Sequence, residues 1–253
     1  MSSRLNAARR IALLAAAAAA LATPVRAQTA TATSAAIIAR SVKVVDPNGS
    51  LAKRKSSHTL GTIEIASMGV KGTVEGYAAL PGRIYTKMSL GPIGSVETGY
   101  DGAVGWIINP VAGPTLMDSL QLSRLRQLNA FDAWQYKPGS FKSMSDPTPV
   151  TFEGRPSYKI SFVALDGWSY DEYFDVETGF RRGVQFMDRS TGQDGQVTIV
   201  LDDYRPNGDA MLAVTVTQKT PIATLVQRVT KVEFDVAPDS VFALPAAIKA
   251  LVK

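Results

Sequence analysis

From about residue 59 to 235, apolar and polar residues alternate in short runs, and turn residues separate the runs. A period of two places successive side chains on opposite faces of an extended strand, so the pattern commits the chain to β-sheet. Residues 62–65, 72–80 and 83–90 open the series, the last two parted by Pro81-Gly82. In 83–90, Ile84, Met88 and Leu90 share one face, while Arg83, Tyr85, Lys87 and Ser89 share the wetter one. Residues 95–100 and 104–108 read as a hairpin around Asp101-Gly102, and Asn109-Pro110 stops the second strand. Further runs fill residues 150–235, for about ten to eleven strands in all.

The alternation breaks at two places. Residues 35–45 read as a short helix ended by Asp46-Pro47-Asn48-Gly49. In residues 115–129, Leu116, Leu120, Leu125 and Leu128 form a stripe at roughly helical spacing, with Leu122 nearby and Arg124, Arg126 and Gln127 off it. Asp118 or Thr115 is placed to cap its start. Strands, a helix, then strands again predict a mainly β (α+β) fold. Its core is one antiparallel sheet with one or two helices against a face, not parallel βαβ units. No stretch of 20–50 residues recurs, which argues against propellers and solenoids.

The first 27 residues have a different character. Arg4, Arg9 and Arg10 precede an unbroken apolar run over residues 11–22, and Val25-Arg26-Ala27 puts small residues at the −3 and −1 positions of a cleavage site. That order predicts a secretory signal peptide cleaved after Ala27, with one domain over residues 28–253. The run is too short to span a bilayer. The chain carries +5 overall, from 27 basic and 22 acidic residues. Four of the basic residues, Arg4, Arg9, Arg10 and Arg26, lie in the expected leader, which holds no acid, so the remainder is near neutral at +1. A near-neutral domain is not a nucleic-acid binder. The absence of cysteine excludes disulfides, a thiol nucleophile, cysteine-ligated metals and a lipid-bearing cysteine. A single histidine excludes zinc sites built on several. The expectation is no metal, no cofactor and a soluble monomer outside the cytoplasm.

Few residues suggest catalysis. His58, in Ser56-Ser57-His58-Thr59, reads as an exposed loop histidine, since no G-x-S-x-G elbow accompanies it. Asp171, Glu172, Asp175 and Glu177 cluster, which a hydrolase would need, but on a strand Asp171 and Asp175 share one face and Glu172 takes the other. They read as a solvated strand ending in the Glu177-Thr178-Gly179 turn. Residues 188–195 read as a plain hairpin connection. What remains is apolar: Ile84, Met88, Trp106, Phe174, Phe186, Ile199, Leu201 and Val214 occupy inward strand positions. Two helices give little cover for so long a sheet, and an uncovered apolar hollow is a ligand site. Leu116 and Leu120 on the leucine helix would close it as a lid.

Several stretches in order resemble the LolA/LolB-type periplasmic lipoprotein-carrier superfamily and its outer membrane lipoprotein-sorting relatives. They are His58-Thr59-Leu60-Gly61-Thr62-Ile63-Glu64, Tyr100-Asp101-Gly102-Ala103-Val104-Gly105-Trp106, Tyr173-Phe174-Asp175-Val176-Glu177-Thr178-Gly179-Phe180 and Asp202-Asp203-Tyr204-Arg205. Val232-Glu233-Phe234-Asp235 followed by Phe242-Ala243-Leu244-Pro245 is similar to the family's ending. The resemblance implies a strongly curved sheet forming an incomplete barrel. It also implies a non-catalytic carrier whose hydrophobic interior receives acyl chains of lipids or lipoproteins, served by a membrane-associated donor or acceptor protein. The ten lining candidates are then lipid-binding residues. The alternative use of such a fold is a periplasmic protein-binding or signalling module without lipid cargo. Arg83 lies on the wetter face of its strand and is not matched to the family's functional arginine.

Overall fold

The computed structural model describes residues 32–188 and 195–252. The expected signal peptide and its cleavage site lie outside the described residues, as do residues 189–194. Fourteen strands form one antiparallel sheet: β1 (Ser56–Ile65), β2 (Val70–Ala79), β3 (Arg83–Ser89), β4 (Ser95–Tyr100), β5 (Gly105–Asn109), β6 (Gly113–Leu116), β7 (Ser143–Met144), β8 (Thr148–Phe152), β9 (Arg155–Val163), β10 (Ser169–Asp175), β11 (Arg181–Asp188), β12 (Gly195–Asn207), β13 (Ala210–Lys219) and β14 (Thr224–Phe234). The order across the sheet is β6-β5-β4-β3-β2-β1-β14-β13-β12-β11-β10-β9-β7, with β8 also on β9. The two edges do not pair, so the barrel is incomplete. The count exceeds the expected ten to eleven partly through β6 and β7, whose few residues are too short to show alternation.

Among the described residues three helices accompany the sheet: α1 (Ser34–Val45), α2 (Ser119–Asn129) and the short α3 (Ala246–Lys249). Thr33 caps α1 by accepting from the Ala36 amide at 3.2 Å, and the Asp46 carboxylate ends that region by accepting from the Leu51 and Ala52 amides. The leucine helix begins four residues later than its periodicity suggested. Asn109 Oδ1 accepts from the Val111 and Ala112 amides, which makes Asn109-Pro110 the start of a hairpin and extends Thr115 and Leu116 as β6. Asp118 is the cap: it accepts from the Gln121 amide at 2.7 Å while the Gln121 side chain accepts from the Asp118 amide at 3.1 Å.

Residues directly opposite each other on neighbouring strands share a face. Gly105 shows which face the helix covers, because a Cβ there would meet Met117 Sδ at 3.0 Å and Leu122 Cδ1 at 3.1 Å. Its partners Tyr100 and Ile84 therefore lie on this inner face. On the β9–β11 side the inner face is filled. Ile160, Phe162, Tyr170, Phe174 and Val184 pack there with Trp168, under Ile37 and Ile38 of α1. Phe162 stacks on Tyr170 with centroids 5.4 Å apart and meets Phe141 edge-on at 5.2 Å. A second cluster of Leu51, Phe131 and Ala210 closes one end of the sheet, with Trp134 and Phe234 against it.

Candidate functional site

The other part of the inner face is hollow. A cavity of about 470 Å³ lies between α2 and the sheet, lined on the apolar side by Ile107, Leu125, Leu128, Phe186, Ile199 and Val216 among others. Ile107 is on β5 and Ile199 on β12, seven strands apart in the sheet order. A flat sheet would separate them by about 34 Å at the usual strand spacing, so a shared cavity requires the sheet to curl around it. A larger space, about 690 Å³, opens on the opposite flank of α2 between Leu122 and Arg126 of the helix, Ala130 just past its end, and Leu80, Pro81 and Leu165. Both volumes are of ligand size.

No residue of α2 is fully buried. Leu125 and Leu128 point to the smaller cavity, Leu122 and Arg126 to the larger. The helix is a partition with space on two sides, held at a few points. Arg124 Nη1 donates to Asp188 at 2.6 Å and Nη2 to the Met187 carbonyl at 3.2 Å. Gln127 Nε2 donates to the Ser140 carbonyl at 2.8 Å.

Two arginines reach the smaller cavity, Arg124, which is paired with Asp188, and Arg181. Arg181 pairs with Glu172 at 3.0 Å, and the Tyr136 hydroxyl donates to the same carboxylate. Glu172 is buried. Burial works against the Arg181 charge, but Glu172, Tyr136 and Tyr204 together outweigh it and hold the guanidinium above its ordinary pKa. Burial first, then Glu172, pushes the Tyr136 phenol well above its usual value, so it stays a donor. The amides of Gln121, Gln218 and Gln227 also line this space. Such a site offers apolar surface, three side-chain amides and two arginines already engaged by carboxylates.

Of the ten candidates, Phe186, Ile199 and Leu201 line the smaller cavity. Val214 lies two residues from Val216 on β13 and so shares its face. Ile84 and Met88 are on the inner face, Ile84 deeply buried beside Tyr100. Phe174 is in the filled cluster and not at the hollow. Leu120 packs against that same cluster. Two placements are corrections. Trp106 is buried on the opposite face: its indole lies over Gly99, where a Cβ would come within 2.4 Å of the ring, and tilts against Tyr85. Leu116 is its β6 partner and half-exposed at the sheet edge. The outer face beside Trp106 is covered by the C-terminal segment. Arg83 pairs with Asp239 at 2.8 Å and lies over the Phe242 ring at 4.7 Å, and Phe242 and Ile248 are buried.

Two polar expectations also change. His58 is inside β1, not in an exposed loop. It stacks on Tyr77 at 4.2 Å, with Nε2 2.9 Å from Glu75 Oε1. Glu172 and Asp175 are buried rather than solvated. Asp175 Oδ1 accepts from the amides of Glu177 and Thr178 at 3.0 and 2.7 Å, which shapes the β10–β11 turn. The residues missed from sequence are Arg124, Arg181 and Tyr136. Nothing local singles out Arg181, which stands beside Arg182 at the start of a strand that also carries Gln185 and Asp188.

A curled antiparallel sheet, open at its edges, with helices on its inner face and a hollow beneath one of them, defines the class. Solved structures share it. An outer membrane lipoprotein-sorting protein domain from Vibrio parahaemolyticus superposes with a TM-score of 0.53 at 14% identity, covering 79% of this chain and 92% of that one. A LolA superfamily protein from Nitrosomonas europaea gives 0.55 at 10% identity over 84% and 98%. A DUF1329 family protein from Desulfovibrio piger gives 0.54 at 10% over 83% and 96%. The chain has the LolA-like fold. No family model and no curated protein sequence matches it. Among the described residues no helix is long and apolar enough to cross a membrane.

Proposed function

We propose that the protein is a non-catalytic carrier that holds an acyl chain of a lipid or lipoprotein between α2 and the inner face of the sheet. The observation that carries this reading is an apolar hollow under a helix with no buried residue. A chain entering it replaces water against Leu125, Leu128, Phe186 and Ile199. Each methylene buried contributes about 0.8 kcal/mol, so eight carbons contribute about 6 kcal/mol against the cost of ordering the cargo. The buried carboxylates offer no general acid or base, since Glu172 is held by Arg181 and Tyr136 and Asp175 by its own turn. In this reading residues 1–27 are removed on export, residues 28–253 form one domain, and the protein works in the periplasm between a membrane-associated donor and acceptor.

Native mass spectrometry of protein purified from the periplasmic fraction tests it. The expected result is a mass adduct that solvent extraction releases as a fatty-acyl lipid. A bare protein that also takes up no dansyl-labelled fatty acid would overturn the carrier reading and leave a protein-binding module.

A further inference from the structure

Four hairpins, β5–β6, β3–β4, β1–β2 and β13–β14, join eight strands that are consecutive neighbours in the sheet, so all four turn at the same end. Each presents one large apolar side chain to water: Val111 is 92% exposed, Ile93 46%, Met68 56% and Ile222 79%. Residues 66–69, 91–94, 110–113 and 220–223 contain no charged residue. The hairpins at the opposite end of these strands, at residues 80–82, 101–104 and 208–209, carry no exposed large apolar side chain, and two of them carry Asp101 and Asp209.

Each of these turns has backbone amides hydrogen-bonded from within. Ile93 and Gly94 donate to the Leu90 and Gly91 carbonyls, Gly69 to Ala66, and Thr220 to Ala223. Val111 and Ala112 donate to the Asn109 side chain, and Ala223 to Thr220 Oγ1. Internally bonded amides remove much of the penalty for leaving water, which is the condition a segment must meet to enter a lipid interface. Hairpins two strands apart stand about 10 Å from one another. The four side chains are thus separate points on the rim of the curled sheet, about 30 Å apart in all when followed strand by strand, and a fluid apolar medium accepts such points one by one. The nearest cations are already paired, Lys71 with Glu64 at 3.7 Å and Lys219 with Glu153 at 2.6 Å, so attraction to anionic headgroups is not the driver.

We propose that this end of the sheet docks on a lipid bilayer by inserting Met68, Ile93, Val111 and Ile222 into the interface. The docking is independent of whether the inner cavity holds a lipid. Flotation with vesicles of phosphatidylcholine and phosphatidylethanolamine tests it, using the full mature chain. The wild-type protein floats with the vesicles, equally at 0.1 and 0.5 M salt. Val111→Asp combined with Ile222→Asp lowers the partition coefficient by about tenfold or more, with an unchanged melting temperature because both sites are exposed. Val236→Asp, at an exposed apolar position just past β14 at the opposite end, leaves binding unchanged. A wild-type protein that stays with the aqueous phase, a double variant that still floats, or binding abolished by salt would each overturn the proposal. Uptake of dansyl-labelled fatty acid is read in the same samples, so intact uptake without flotation rejects the docking and leaves the carrier reading standing.

Discussion

Arg124 on α2 holds Asp188 at the end of β11 at 2.6 Å, and its guanidinium lies 5.3 Å from the Phe186 ring and 5.7 Å from the Trp168 ring. Among the described residues this is the one ion pair that α2 makes to the sheet. One side chain thus ties a lightly packed helix both to the strand end and to the aromatic wall of the cavity.

Arg124→Ala should free the helix more than it unfolds the protein. The pair is partly exposed, so its loss costs about 1–2 kcal/mol, between the exposed and buried extremes. Release of a preloaded dansyl-labelled fatty acid, followed by stopped flow, should be several-fold faster in the variant. Unchanged release with the same stability loss would make Arg124 a packing residue only.

Asp175 should set part of the acid limit of stability. Burial acts to raise its pKa, but hydrogen bonds from Thr178 and Glu177 and the nearby Arg155 outweigh that and hold it below the ordinary carboxylate range. A folded-state pKa below the unfolded one contributes stability that is present above about pH 4 and is lost as pH falls through the folded value. Asp175→Ala should cost about 1–3 kcal/mol at neutral pH, because it leaves two turn amides without their acceptor. Urea titrations from pH 7 down to pH 3 should show the gap between wild type and variant closing as the pH falls below about 4. A gap constant across that range would assign the loss to packing.

The sheet was legible because alternation is local. The hairpin at Asp101-Gly102 could be read from a few residues, and Asp101 does accept from the Ala103 and Val104 amides at 2.8 Å. Which face of a strand turns inward is not local. Trp106 looked like cavity lining, yet Gly99 across the strand pair leaves room for its ring on the outer face, and the C-terminal segment covers that side. Leu116 fitted the leucine stripe by spacing, but the turn chemistry of Asn109 and the cap at Asp118 divide that stretch between a strand and a helix. The hollow itself depends on how far fourteen strands curl, and no run of residues encodes that sum.

The same geometry shifts the decisive test of the lid from Leu120 to Leu125. Leu120 packs against the filled aromatic cluster, so a charge there damages core and tells nothing about cargo. Leu125 faces the hollow from a helix with no buried residue. Leu125→Asp should therefore reduce uptake of a dansyl-labelled fatty acid by about tenfold or more, since it places a carboxylate where apolar chain must pack. It should change the midpoint of urea unfolding little. Phe162→Ala is the contrasting variant: that ring is fully buried between Tyr170 and Phe141, and its loss should cost about 3–5 kcal/mol. If Leu125→Asp destabilises as much as Phe162→Ala, or binds the probe as well as wild type, α2 is ordinary core and the cavity beneath it is not where cargo sits.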